Sequence, residues 1–253
     1  MRQEGLKNIF LQVEYLGKSY YGFQIQNKKA VKEVTVQEVL EKALEKLFLQ
    51  DIRIVYSSRT DRGVHAMAQS LNFKVKTKIP LANIKKALNA FLPADIKIKK
   101  IKKVPLDFHS RFSVRSKIYR YVVFNRRQPS VFWEDFSWHI PQGLDLEAMR
   151  KVSLSLIGKK DFSLFARGAS NYKNCVRSLK AIEIKKRNGL VYIDIEADGF
   201  LRSMARNIVA FLAKIGSGEV PLVEAVNILK KNTSYINNPA PAQGLYLYKV
   251  KYL

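Results

Sequence analysis

The chain has 253 residues, and its 45 Lys and Arg against 21 Asp and Glu give a formal net charge of +24. That length suffices for one large or two small self-supporting cores, and so large a positive excess makes nucleic acid the leading class of partner. No run of about 18 apolar residues occurs and Met1 to Lys7 lacks an apolar signal core, which argues against membrane insertion and export.

A single cysteine, Cys175, excludes an internal disulfide and a thiolate metal cluster, and reads as a small packing residue in a reducing compartment. His65, His109 and His139 fall in no metal-ligating spacing, which argues against metal catalysis.

In chain order, Leu11, Val13 and Tyr15 alternate with polar neighbours as a first strand, ended by Gly17 and followed by the aromatic loop Tyr20-Tyr21-Gly22-Phe23-Gln24. Thr35 and Glu38 have the spacing of a capping box, and Val36, Leu40, Ala43, Leu44 and Leu47 then recur at helical spacing. Residues 53–56 read as a short strand, 57–69 as a loop and 70–75 as another strand. Ile84, Leu88 and Phe91 mark a second helix, and residues 96–104 a strand. Its Lys97, Lys99, Lys100, Lys102 and Lys103 suit either a solvated edge or a phosphate-facing one.

The order strand, helix, strand, strand, helix, strand then repeats. Residues 117–125 form a strand with Tyr119, Tyr121 and Val123 on one face. Asp145 caps a helix striped by Leu146, Met149, Val152 and Leu156 and stopped by Gly158. Residues 159–174 read as a loop whose Phe162 and Phe165 suit either RNA contact or burial. Two strands, 176–186 and 190–197, meet around Asn188-Gly189, a hairpin signal. Leu201, Met204, Ala205, Ile208, Val209 and Leu212 form a helix ended by Gly216, Pro221 opens an extra helix, and 245–252 closes as a strand. Two split strand-helix-strand patterns predict two α+β, ferredoxin-like halves with a cleft between them, joined as one rigid body near Pro105. The halves are 1–105 and 106–253.

Between Ile52 and Ala94 the only acidic side chain is Asp61, inside Ser57-Ser58-Arg59-Thr60-Asp61-Arg62-Gly63-Val64-His65. Taken alone, the stretch suits an ordinary turn, because Asp bonds its own backbone and Gly accepts positive φ. It equally suits a placed reactive carboxylate, kept in its charged form by Arg59 and Arg62 and so fitted to a nucleophile rather than a general acid. His65 and Gln69 read as residues that hold the loop in shape.

The stretch 58–69 resembles the signature loop of TruA-type tRNA pseudouridine synthases. Residues 20–24, 107–112 (Asp-Phe-His-Ser-Arg-Phe), 119–121 (Tyr-Arg-Tyr), 204–209 (Met-Ala-Arg-Asn-Ile-Val) and 244–247 (Gly-Leu-Tyr-Leu) resemble further blocks of that family in the same order, so the likeness spans essentially the whole chain. It implies the pseudouridine synthase fold: two ferredoxin-like (βαββαβ) halves in one mixed, mainly antiparallel sheet, with helices packed on one face and a central basic cleft.

The resemblance also implies roles. Asp61 is the nucleophile, Arg59 helps displace the target base and contacts RNA, Tyr119 packs on the uracil, Arg206 pairs with Asp61, and Leu245 or Leu247 walls the pocket. Arg62, Arg111 and Arg202 are further candidates for RNA contact. The implied reaction breaks the glycosidic bond of a uridine, turns the uracil and rejoins it through C5, on the 3′ side of the tRNA anticodon stem-loop. The carboxylate attacks C1′ or C6, or supports proton loss from C2′; all three routes stay open. No cofactor or metal is implied, and the expected setting is a cytoplasmic homodimer bound to tRNA, with neither membrane nor DNA as partner.

Five positions depart from the family pattern: Ser58 stands where Gly is usual, Arg62 for Ala, Phe23 for Trp, and Arg202-Ser203 replaces a differently polar pair. A noncatalytic RNA-binding protein on RRM-like halves is the rival reading. It lacks the aromatic RNP1 strand and leaves the Asp61 loop unexplained.

Overall fold

The computed structural model describes residues 5–26, 33–231 and 238–252. The N-terminal stretch read for export signals begins before them, so residues 1–4 lie outside the described residues. The chain forms two compact units. The first runs up to Arg115 and regains the chain from Leu247, and the second is Ser116–Tyr246.

The first unit runs β1 (Leu6–Tyr15), α1 (Val36–Phe48), β2 (Val55–Tyr56), β3 (His65–Lys76), α2 (Leu81–Phe91) and β4 (Ile96–Val104). β1 lies between β4 and β3, and β2 pairs with β3, all antiparallel; this is the strand order of a split βαβ unit. Alternation sends Ile9, Leu11 and Val13 into the core, where Leu40, Leu44, Ile84 and Leu88 of the helices are buried as well. Each such side chain, once fully buried, contributes about 1.5–3 kcal/mol. Thr35 caps α1, its hydroxyl accepting the Glu38 N–H at 3.3 Å. The Glu38 carboxylate turns to Lys42 at 2.7 Å, so the expected box closes on one side.

The second unit holds β5 (Val114–Phe124, entered within the strand), β6 (Trp138–His139), α3 (Leu146–Leu154), β7 (Gly158–Asp161), β8 (Val176–Arg187), β9 (Leu190–Ala197), α4 (Met204–Gly216) and α5 (Leu222–Lys231). Its strands run β5-β9-β8-β7, with β6 parallel to the end of β5. The last strand, β10 (Leu245–Tyr252), starts here and ends in the first unit. Asn188 and Gly189 both take positive φ, 52° and 81°, the backbone of the tight hairpin that the Asn-Gly pair predicts. Tyr119, Tyr121 and Val123 face the core as their alternation requires, while Val122 and Phe124 pack with Leu190 under Trp133, Tyr192 and Tyr246.

Three readings are corrected. The loop expected over 57–69 ends at Val64, because His65–Gln69 already pairs with β1, Ala66 opposite Tyr15 and Gln69 opposite Val13. Gly158 does not stop a helix: α3 ends at Leu154, and Gly158 opens β7 by pairing with Leu179. Residues 159–174 are therefore partly strand, and Phe162 and Phe165 are buried anchors at 1% and 2% exposure. No helix among the described residues is long and apolar enough to cross a membrane.

Candidate active site

Asp61 opens a four-residue turn. The Val64 N–H returns to the Asp61 carbonyl at 3.1 Å, and Gly63 supplies φ +80° at the third position, where a side chain would be strained. The turn and the placed carboxylate are therefore one structure. The residues on either side of the turn are braced by their neighbours. Gln69, fully buried, donates to the Ser58 carbonyl at 2.7 Å and accepts from the Ser57 hydroxyl at 2.8 Å. His65 Nδ1 accepts the Gly17 N–H at 3.1 Å. The roles expected of His65 and Gln69 are the roles these bonds give them. Tyr15 and Thr60 share a buried hydroxyl contact of 2.8 Å, and the Thr60 carbonyl accepts the Phe23 N–H at 3.1 Å.

Such fastening holds the half-buried Asp61 in one place while the neighbouring arginines stay outside. Arg59 and Arg62 are both exposed. The Arg62 guanidinium sits 4.1 Å from the centre of the Tyr21 ring, a cation–π contact that fixes the side chain beside the loop. The departure at Arg62 thus comes with its own partner. Phe23 is fully buried between Tyr15 and Tyr56, with ring centres 6.0 and 4.6 Å away, so at that position the aromatic is a core residue beneath the loop.

Arg59, Asp61 and Arg62 share this loop, and Arg111 lies elsewhere in the same unit, in the segment after β4. The second unit carries the rest of the predicted set. Tyr119 is buried on β5, opposite Ile195, with Phe200 edge-on at 4.8 Å. Arg206, half-buried in the first turn of α4, donates from Nε to the Ala240 carbonyl at 2.6 Å and accepts the Ala240 N–H at its own carbonyl. Tyr121 donates to the next carbonyl, Pro241, at 2.8 Å. Arg206 and Tyr121 therefore grip adjacent residues of the segment that leads into buried Leu245.

Burial pushes the Tyr121 phenol well above its ordinary pKa, and the Arg206 charge partly opposes that shift. Tyr121 stands two residues from Tyr119 on the same strand face, and its phenol is spent on the Pro241 carbonyl. Arg202 is exposed, with its backbone fastened by the Tyr172 hydroxyl and by Arg167, and Ser203 beside it takes φ +60° at the start of α4.

Among the described residues no group of three His, Cys, Asp or Glu is placed to hold a metal ion. A shallow groove between α3 and β8, lined by Arg150, Lys151, Ile182 and Lys185, contains none of the predicted residues.

The sequence matches the family described as tRNA pseudouridine synthase over residues 11–113 and 153–253. It is 40% identical over 248 residues to the tRNA pseudouridine synthase A of Thermoanaerobacter sp. strain X514, covering 98% of this chain and all of the relative. Similar coverage holds for the tRNA pseudouridine synthase A 2 of Clostridium tetani, at 39% identity over 97% of this chain and 99% of the relative. The tRNA pseudouridine synthase A of Thermotoga maritima is also 39% identical over 97% of this chain and 99% of its own length.

Proposed function

The chain belongs to the tRNA pseudouridine synthase family, and from that premise we propose that it isomerises uridine to pseudouridine on the 3′ side of the tRNA anticodon stem-loop, with Asp61 as nucleophile. The observation that carries the assignment of Asp61 is a lone carboxylate on a turn braced by Gln69, His65 and Thr60, within a stretch otherwise free of acids. A nucleophile needs a charged, fixed oxygen and a substrate brought to it. The fixed turn supports the first requirement, and the positive charge of the chain supports the second.

The reaction is an isomerisation: the C1′–N1 bond breaks, the C1′–C5 bond forms, and the C5 proton leaves while N1 gains one. No external oxidant or group donor enters the balance. The target uridine must leave its stack to reach the carboxylate, and Arg59, exposed two residues before Asp61, is the side chain we assign to the vacated space. We assign substrate contacts to Tyr119, Arg206 and Leu245, with Arg62, Arg111 and Arg202 on the RNA outside. By resemblance the working form is a cytoplasmic homodimer. The rival reading, a noncatalytic RNA binder, is not favoured.

Replacing Asp61 with Ala and following pseudouridine in an unmodified tRNA transcript, by chemical labelling of the mass-silent isomer, tests the assignment. Turnover should vanish while tRNA binding persists. A variant that turns over at the parent's rate would remove Asp61 from the mechanism.

A further inference from the structure

The first unit carries a second group of surface side chains that the reaction of Asp61 does not use. In the segment after β4, Phe112 is 75% exposed. His109 stacks on its ring, with centres 4.3 Å apart and planes inclined by 28°, and the Arg111 guanidinium lies 5.6 Å from the ring centre. An exposed benzyl group on a loose loop would fold down onto nearby apolar surface. Here the backbone prevents it.

His109 closes the turn on itself. Its Nδ1 accepts the backbone N–H groups of Arg111 at 3.1 Å and Phe112 at 3.3 Å, and its carbonyl accepts those of Phe112 and Ser113. The turn is also fastened from beneath. Asn72 and Asn8, both buried, bond each other at 2.9 Å. Asn8 donates to the carbonyls of Pro105 and Phe108 at 2.8 and 3.0 Å, and Asn72 accepts the Ser110 N–H at 2.8 Å. The Tyr252 hydroxyl donates to the Ser110 carbonyl at 3.0 Å.

Phe108 turns inward onto Phe10 and Tyr252, 5.9 and 5.2 Å away, while Phe112 is held out. Buried amides are costly unless satisfied. These are satisfied by a turn whose outer face is an aromatic ring, an imidazole and a guanidinium. From Lys97 to Lys117 the chain carries eight Lys and Arg and one acid, Asp107, so the surroundings attract a polyanion and repel a second copy of themselves.

We propose that Phe112, backed by His109 and flanked by Arg111, is a stacking shelf for an unpaired base of RNA, a second nucleotide contact besides the reacting uridine. An aromatic face receives any base, and the adjacent guanidinium suits the phosphate beside it. The proposal rests on the tRNA reading above and adds to it a fixed point on the substrate.

The test uses the full chain and an unmodified tRNA transcript. Phe112→Ala and Phe112→Leu should each weaken tRNA binding about tenfold, within the range for losing one stacked base, whereas Phe112→Tyr should bind as the parent does. In Phe112→Trp the indole emission should be quenched when tRNA is added. A Leu variant as tight as the parent would reduce the shelf to an apolar contact and overturn the proposal. So would parent-like binding by Phe112→Ala, or a fall in the sedimenting mass of that variant, which would mean that a second copy covers the ring. The parent's pseudouridine assay separates the two readings. Turnover with normal binding by Phe112→Ala removes the shelf alone, and lost binding without any parental turnover keeps the shelf and removes the reaction.

Discussion

Gly22 is a residue on which the setting of Asp61 turns sharply. Its φ of +85° lies where an L side chain is strained, and a Cβ there would stand 2.7 Å from the Thr60 carbonyl oxygen, the atom that also receives the Phe23 N–H. Both problems fall on the backbone one residue before the carboxylate, and backbone cannot swing aside as a flexible side chain can. Gly22→Ala should therefore lower stability by roughly 1–3 kcal/mol, the usual scale of local backbone strain, and should lower pseudouridine formation more than tRNA affinity. Denaturant unfolding and single-turnover assays on the same preparation check both halves. An unchanged unfolding midpoint would mean that the loop yields at no cost and that its rigidity is not what serves the chemistry.

At the scale of elements, α1 and the strand that follows it are joined through an acid that helical periodicity alone would have placed outside. Glu41 is buried in the apolar stripe. Its carboxylate accepts the Ile54 N–H at 3.1 Å, the Gln37 amide at 2.9 Å and the Arg53 guanidinium at 2.9 Å. Arg53 is 71% exposed, so the ionic contact is screened and worth little, whereas the Ile54 N–H is buried and must find an acceptor. Glu41→Ala should cost about 1–3 kcal/mol, and Glu41→Gln, which keeps an amide oxygen for Ile54, should cost distinctly less. Equal losses in urea unfolding would give the charge, rather than the backbone N–H, the larger share.

The same contrast between local and distant causes explains what could be read in advance. The strand at 96–104, the closing strand and the Asn188-Gly189 hairpin were legible because alternation and turn chemistry act within a few residues. β7 was not, since Gly-Lys-Lys-Asp has no strand character of its own and exists as strand through pairing with β8. The start of β3 at His65 is likewise decided by β1 across the sheet. Of the candidate site residues, Asp61 was visible through its isolation in the charge pattern, and Tyr119 and Arg206 were proposed through resemblance. The Asn8–Asn72 pair beneath Phe112 was invisible, because two asparagines 64 residues apart declare nothing until the strands bring them together.

For the molecule as a whole, the surplus of 24 positive charges should appear as salt dependence of tRNA binding, because each neutralised phosphate releases counterions. Affinity should fall by about a thousandfold or more between roughly 50 and 200 mM salt if six or more phosphates are engaged. The lysines of β4 decide how that charge is used. The strand pairs with β1 and stands first in the strand order. Lys99 is tied to Glu14 at 3.0 Å and Lys102 lies over the Phe10 ring at 5.1 Å, while Lys100 and Lys103 are exposed. Lysines on an edge also deter strand addition by another chain, so exposure alone does not make them RNA contacts. Replacing Lys100 and Lys103 with Gln and measuring binding across a salt series separates the two uses. If both touch phosphate, the slope of log affinity against log salt should flatten by about one per lysine; an unchanged slope, with faster aggregation of the variant on standing, would identify them as edge protection and move the phosphate contacts to the arginines around Asp61 and Phe112.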